Sequence, residues 1–343
     1  MSPVAARAQL WLNATGKRPL PRCLTGRLRP TGRQYNLMRI GILSRNPALY
    51  STRRLAQAIW ARGHEAIILD TTSVAVHLGA DNGRPAAAHM LVGGATGLAA
   101  IAPLPPLDAV IPRIGTSVTF YGLAVVRQFE TAGVPTTASS DAIACSRDKL
   151  HSLQTMVQAG LPIPRTAVVA RPEALFAAVD AVGGLPAVVK LIRGTQGRGV
   201  LLAHHLATVT AMLRRAEELN QQAIVQEFVA EASGRDLRVI VVGNRCVAAM
   251  ERQAPPGDFR ANLHQGGSAQ PVTLDPRTAA LAVAAARAHG LAVAGVDLLT
   301  SRRGPLLLEV NSSPGLEGIE KATGVPVAEA IVEYVEKPGR RPR

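Results

Sequence analysis

Two carboxylates set in apolar runs are the first residues that could do chemistry. In "GVDLLTSRRGPLLLEVN" (295–311), Asp297 and Glu309 lie on either side of a turn at 301–304. Folded as an antiparallel hairpin, the chain brings them nearly opposite each other. Asn311, two residues beyond Glu309, shares their face. Two like charges facing each other between buried strands repel unless a cation lies between them. Oxygen donors without Cys or His select a hard ion, Mg²⁺ or Mn²⁺. The alternative is a solvent-facing hairpin with incidental acids. The neighbours Val296, Leu298, Leu299, Leu308 and Val310 argue against it.

A second group lies in "VVKLIRGTQGRGV" (188–200). Lys190 stands on an apolar strand just before Gly194, Gly197 and Gly199. The spacing is neither the dinucleotide fingerprint nor a Walker loop, and the stretch lies between two strands. A glycine hairpin of this kind folds over phosphates, its bare N–H groups reaching the oxygens. Lys149 in "SRDKL" is a second cation, which alone reads better as a solvated helix lysine. A third group, "VQEFVAEASGRD", ends a strand with Gln226, Glu227 and Phe228, whose main chain could read an adenine edge. Asp236 and Arg238 follow, and Arg252, Arg260 and Asn262 gather round a polar loop. Together these groups describe an enzyme that uses a nucleoside triphosphate. No Ser-His-Asp or Cys-His arrangement accompanies them. No basic patch interleaved with aromatics supports direct nucleic-acid reading.

The elements that must position these groups are legible in the periodicity. "MRIGIL", a helix over 52–63 and "HEAIILD" form a β-α-β unit, the opening of a doubly wound domain, with Asp70 as a turn residue. A strand at 108–115 and a helix over 117–131 follow. Ser140 or Asp141 caps helical stretches around Asp148, the last of which ends at Gly160, and a domain boundary falls near 135–140. Strands are expected near 165–170 and over 186–192 and 222–229, with helices at 172–182 and 206–218. A hairpin over 235–253 turns at Gly243-Asn244. A helix at 276–289, the carboxylate hairpin and a closing helix from 325 to 337 complete the chain. The fold class is α/β (α+β). The expected domains are a basic extension (1–37), a small α/β domain (38–137), a glycine-loop subdomain (138–222), a metal-binding subdomain (223–337) and a basic tail (338–343).

The net charge of +14 points to anionic partners. Half of it lies in residues 1–37, which hold seven Lys and Arg and no acid. That segment reads as a dispensable tail or a start misplaced ahead of Met38, with a basic arm for RNA or an acidic partner as the alternative. Three separated cysteines imply neither zinc nor disulfides, and a cytoplasmic setting follows. The most apolar long window, 86–107, is too broken by Pro and Gly to span a membrane.

With these residues in place, the chain resembles the ATP-grasp superfamily and, within it, the RimK family of ribosomal-protein glutamate ligases. "IGILSRNPALYS", "SRDKL", "GTQG", "FRANLH" and "EVNSSPGLEGIE" carry the likeness in family order from Met38 to the last helix. The resemblance implies an ATP-grasp fold behind a small pre-ATP-grasp domain, and carboxylate–amine ligation through an acyl phosphate. It implies addition of L-glutamate to the C-terminal tail of the sixth small-subunit ribosomal protein, or synthesis of free polyglutamate, by a homo-oligomer (tetramer or dimer). By position, Lys149 and Lys190 would hold ATP phosphates, with Gln226, Glu227 and Phe228 at the adenine and Asp236 at the ribose. Arg260 and Asn262 would lie near the phosphates or metal. Asp297, Glu309 and Asn311 would bind two Mg²⁺, Glu309 bridging. Arg238 is the candidate oxyanion stabiliser, and Arg45, Arg113 and Tyr121 would orient the acceptor or the glutamate. Where the family has an acid and an apolar residue, this chain has Arg193 and Arg198. An amino-acid ligase for a small molecule or another carrier, and a non-catalytic RNA- or ribosome-binding protein, remain as alternatives.

Overall fold

Strand β1 (Arg39–Leu43) runs parallel to β2 (Glu65–Leu69) across helix α1 (Tyr50–Ala61), the expected β-α-β opening. α1 buries Leu55 and Ile59, one turn apart, and ends at Gly63, which adopts φ +84°. Asp70 caps a short 3₁₀ turn by accepting from the Thr72 N–H. Five short strands follow: β3 (Val74–Val76), β4 (Ala80–Asp81), β5 (Arg84–Pro85), β6 (Met90–Val92) and β7 (Ala102–Pro103). β8 (Ala109–Pro112) then joins the other side of β1, so the parallel sheet has the order β2-β1-β8. α2 (Thr119–Thr131) packs beside it.

This computed structural model describes residues 36–76, 80–81, 84–85, 90–92, 102–192, 199–261 and 266–337. The expectations for the N-terminal extension, Arg193, Gly194, Gly197, Arg198, Asn262 and the basic tail lie outside the described residues.

The cap of the helical stretches after 139 differs from expectation. It is Ser139, whose side chain accepts from the Ala142 N–H; neither Ser140 nor Asp141 is the cap. The helical stretches expected around Asp148 are α3 (Ser140–Arg147) and α4 (Lys149–Gln158). Asp148 divides them because its carboxylate caps α4, accepting from the N–H groups of Leu150 and His151 at 2.9 and 3.0 Å.

The glycine-loop sheet comprises β9 (Thr166–Val169), β10 (Ala187–Leu191), β11 (Val200–Ala203) and β12 (Ala223–Glu227), in the antiparallel order β11-β10-β12-β9. α5 (Leu175–Ala181) and α6 (Leu206–Glu218) cover one face. Ala187, Val189, Ala223 and Val225 point into the core they share. By strand alternation Val188, Lys190, Ile224 and Gln226 point the other way. The expected boundary at 222 cuts this sheet, since β12 pairs with β10; the change of sheet comes after Glu227.

The second sheet has the order β15-β14-β13-β16-β17, from β13 (Arg235–Val242), β14 (Arg245–Gln253), β15 (Ser268–Pro271), β16 (Val293–Ser301) and β17 (Gly304–Asn311). α7 (Pro276–Ala288), capped by Asp275, packs Ala282, Ala285 and Ala286 into a core with Val239, Val296 and Leu298. Behind the sheet lie α8 (Glu317–Thr323), which sequence periodicity missed, and α9 (Val327–Val335). Arg54 and Arg62 of the first domain bind Glu320, Glu329, Glu333 and Glu336 of this segment. The residues from Leu37 on form one compact unit. Among the described residues, no helix is long and apolar enough to cross a membrane.

Candidate active site

The two sheets enclose a cleft of about 560 Å³ whose walls carry most of the residues singled out in the sequence. A hollow of 590 Å³ against α7 is walled largely by alanines, with Arg287 as its one charged lining residue and no carboxylate.

On the large-sheet wall, Asp297 stands opposite Glu309, as the hairpin argument required. A plain ladder counted back from Ser301↔Gly304 would set Asp297 against Leu308. A β-bulge after Asp297 leaves Leu308 without a cross-strand partner and turns Glu309 onto the face of Asp297 and Asn311.

The two carboxylates have different surroundings. Asp297 is buried, whereas Glu309 opens to the cleft. The cations that offset Asp297 are arginines, which sequence reasoning assigned to an ion. Arg238, directly opposite on β13, donates Nε and Nη2 to its two oxygens at 2.7 and 2.5 Å. Arg252 adds a bond at 3.0 Å and also grips Asp236 at 2.6 and 2.7 Å. Burial pushes the Asp297 carboxyl up, but the two guanidiniums outweigh it and hold it below the usual value. Asp236, held chiefly by Arg252, is pushed by burial to about 6. Arg238 is thus committed to Asp297, and Asp236 is committed to Arg252.

On the small-sheet wall, Lys190 donates to the Gln226 side-chain oxygen at 2.6 Å, and Gln226 donates to Thr166 Oγ1 at 2.9 Å. The Gln226 side chain therefore aims the lysine, which the sequence did not reveal. Burial lowers the Lys190 ammonium to about 8, with nearby Lys149 adding to the fall and Glu309 opposing it. Lys149 bonds the carbonyls of Leu191 and Ile192 at 3.4 and 3.0 Å, next to the glycine loop, and burial lowers its pKa also. Gly199 closes that loop at φ +75°. Glu227 is clamped by Arg303 at 2.7 Å and Arg165 at 3.3 Å, which leaves its main chain as what it can offer a base. The Phe228 ring meets Phe259 edge-on at 6.2 Å, and Arg260 pairs with Asp258 at 2.8 Å; Phe228, Phe259 and Arg260 line the cleft.

The residues expected to orient substrate diverge. Arg113 donates to the Pro314 carbonyl at 2.7 Å, beside the carboxylate strand. Arg45 reaches Ser117 at 3.1 Å on the surface. The Tyr121 hydroxyl is tied to the Val74 carbonyl at 2.7 Å, a bond internal to the first domain. Sequence reasoning missed Arg147, which lines the cleft and bonds the Ile114 carbonyl.

The donor set fits Mg²⁺. Its atoms are hard oxygens, and Glu309 faces open space. The Asn311 Nδ2, a donor, and the hydroxyls of Ser312 and Ser313 are buried without hydrogen-bond partners, so beside the oxygens the wall offers unused donors for an anion. No cluster of three or more His, Cys, Asp or Glu side chains that could hold an ion exists among the described residues. Mg²⁺ takes one or two carboxylates and completes its shell with substrate phosphates and water.

The model of the RimK-like ATP-grasp domain matches residues 146–335, and that of the RimK PreATP-grasp domain matches 38–143. The chain belongs to the RimK-like ATP-grasp family. It is accordingly an ATP-dependent ligase. It is 50% identical over 300 residues to the probable alpha-L-glutamate ligase 2 of Shewanella amazonensis, covering 88% of this chain and 96% of that one. It is 50% identical over 303 residues to the probable alpha-L-glutamate ligase of Teredinibacter turnerae, covering 88% and 97%. Among solved structures it shares its fold with a RimK-domain ATP-grasp protein from Sphaerobacter thermophilus (TM-score 0.62, 22% identity, 86% of this chain and 98% of that one). It also shares it with the ATP-grasp ligase PsnB complexed with minimal precursor, Mg and ADP (TM-score 0.64, 22% identity, 88% and 100%).

Proposed function

We propose that this RimK-like ligase adds L-glutamate, at the expense of ATP, to an acceptor carboxylate at a peptide C-terminus. The acceptor is the tail of a small-subunit ribosomal protein or a growing α-linked polyglutamate. The observation that carries this reading is Glu309. It opens to the cleft in register with Asp297 while Lys149, Lys190 and Arg147 act on it electrostatically from around it. Glutamate as the added residue rests on the relatives named glutamate ligases, half identical over nearly their whole length.

In this reading Lys149 and Lys190 bind the triphosphate, and the main chain of Gln226 to Phe228 borders the adenine. Asp297, Glu309 and Asn311 would hold two Mg²⁺, which would neutralise charge on the transferring phosphoryl group. The acceptor carboxylate attacks the γ-phosphorus and ADP leaves. The glutamate amine then attacks the acyl phosphate, phosphate leaves, and the amine proton passes to solvent. Arg252 keeps Asp297 ionised and in place.

The test is intact mass spectrometry of acceptors incubated with enzyme, ATP, Mg²⁺ and L-glutamate. A ladder of glutamate-sized increments on a C-terminal peptide supports the reading. Increments of another amino acid, or ADP release that needs a small-molecule acceptor, would overturn it.

A further inference from the structure

Arg147 and Lys149 flank Asp148, and the break that Asp148 makes between α3 and α4 sends them to opposite walls. Lys149 goes to the glycine-loop strand, bonding the Leu191 and Ile192 carbonyls. Arg147 goes to the first domain, bonding the Ile114 carbonyl. Arg113 lies close behind, on the Pro314 carbonyl at 2.7 Å. The other partly buried arginines of the cleft have acid partners: Arg238 and Arg252 hold Asp297 and Asp236, and Arg260 holds Asp258. Among the described residues, no carboxylate lies within ion-pair distance of Arg147 or Arg113. Burial and the charge of Arg147 lower the Arg113 pKa to about 10. The next turn of chain presents Ser312 and Ser313, whose buried hydroxyls have no partner. Arg147, Ser312 and Ser313 line the same cleft as Glu309.

Two neighbouring, partly desolvated guanidiniums bonded to carbonyls alone are costly unless an anion joins them. The phosphates have Lys149 and Lys190 on the far wall. The anion still without a partner is the carboxylate to be activated, and a guanidinium fork with adjacent hydroxyls suits a carboxylate. We propose that Arg147, backed by Arg113 and flanked by Ser312 and Ser313, seats the terminal carboxylate of the acceptor. One oxygen is held there and the other is left facing the nucleotide. Arg147 touches the substrate, whereas Arg113 is a positioning residue acting through the Pro314 turn.

The inference rests on the proposed ligase reading, and its test does not need turnover. Calorimetry in the presence of ADP and Mg²⁺ compares tetra-α-L-glutamate with the same peptide amidated at its C-terminus. The wild type is expected to bind the free acid about 10- to 100-fold more tightly than the amide, the span of one charge-assisted pair. Arg147→Gln is expected to bind both alike while its ADP affinity stays within about twofold. Arg147→Lys, which keeps a charge without the fork, recovers part of the preference and serves if the Gln variant folds poorly. A wild type that binds neither peptide or both equally overturns the proposal, as does a Gln variant that keeps the preference. A parallel loss of ADP affinity would assign Arg147 to the nucleotide. Glutamate-dependent ADP release by the wild type, measured separately, decides the ligase reading itself.

Discussion

Lys190 offers a quantitative test of the phosphate wall. Its ammonium is held at about 8 by burial, while its bond to Gln226 fixes its direction. A phosphate partner favours the charged lysine, so binding requires the proton that free enzyme loses above that pH. The affinity is full below pH 8 and weakens as pH rises through it. With a free-state pKa of about 8, roughly nine in ten lysines are charged at pH 7 and one in ten at pH 9, so the ADP Kd rises about tenfold, or about 1.4 kcal/mol. Calorimetry of ADP·Mg²⁺ binding across this range reads the shift. Repeating it in buffers of different ionisation enthalpy reads close to one proton taken up at the alkaline end. Lys190→Arg removes the pH dependence, since a guanidinium stays charged. A flat wild-type profile, or the same slope in Lys190→Arg, refutes the reasoning.

Other perturbations separate structure from chemistry. Glu309→Gln leaves the melting temperature unchanged, because Glu309 is exposed, yet lowers Mg²⁺-dependent ligase turnover at least about a hundredfold. Arg252→Leu strands Asp236, leaves Asp297 to Arg238 alone and costs about 3–5 kcal/mol in urea unfolding; a loss below about 1 kcal/mol would show that Arg238 alone suffices. Gly122→Ala sets a Cβ 2.5 Å from Ile114 Cγ2 and destabilises the fold by about 1–3 kcal/mol in the same assay. For Glu336, burial raises the carboxyl pKa, but Arg62 and His64 outweigh it and hold the group below its ordinary 4.5. The stability this contributes is present above that value and is lost as pH falls through the lower folded value. Arg62→Met shrinks the acid-side loss seen in melts against pH.

The fold was legible where alternation and turns speak for themselves: the β-α-β opening, the two hairpins and helix α6 (Leu206–Glu218). α8 escaped because seven residues give little periodicity. Lys190 stood out as a cation on an apolar strand, but Gln226 could not be linked to it. That contact is a diagonal across two strands, with Lys190 opposite Ile224 and Val188 opposite Gln226. Arg252 was visible as one of several arginines. Its reach to Asp236 and Asp297 depends on another bulge, between Ile240 and Val241, that shifts its strand by one residue. Arg147 was hidden because Asp148 reads as a helix residue until it is seen to cap α4. The spacing of Ser139 and Asp148, two N-cap types nine residues apart, was the available signal.

Leu308 and the bulge it forms compensate for each other. It contributes no charged or polar side chain, and its apolar character can be supplied by other residues. What it contributes is one more position on β17 than on β16 between the turn and the carboxylates. A chain lacking Leu308 would retain Asp297, Glu309, Asn311, both lysines and every arginine. It would also lack the bulge, so the ladder would run unbroken from Leu298↔Leu307 to Asp297↔Glu309, and Glu309 would stay on the face of Asp297 and Asn311. Relatives one residue shorter at this point can therefore keep the same carboxylate pair, provided the bulge is lost together with the residue.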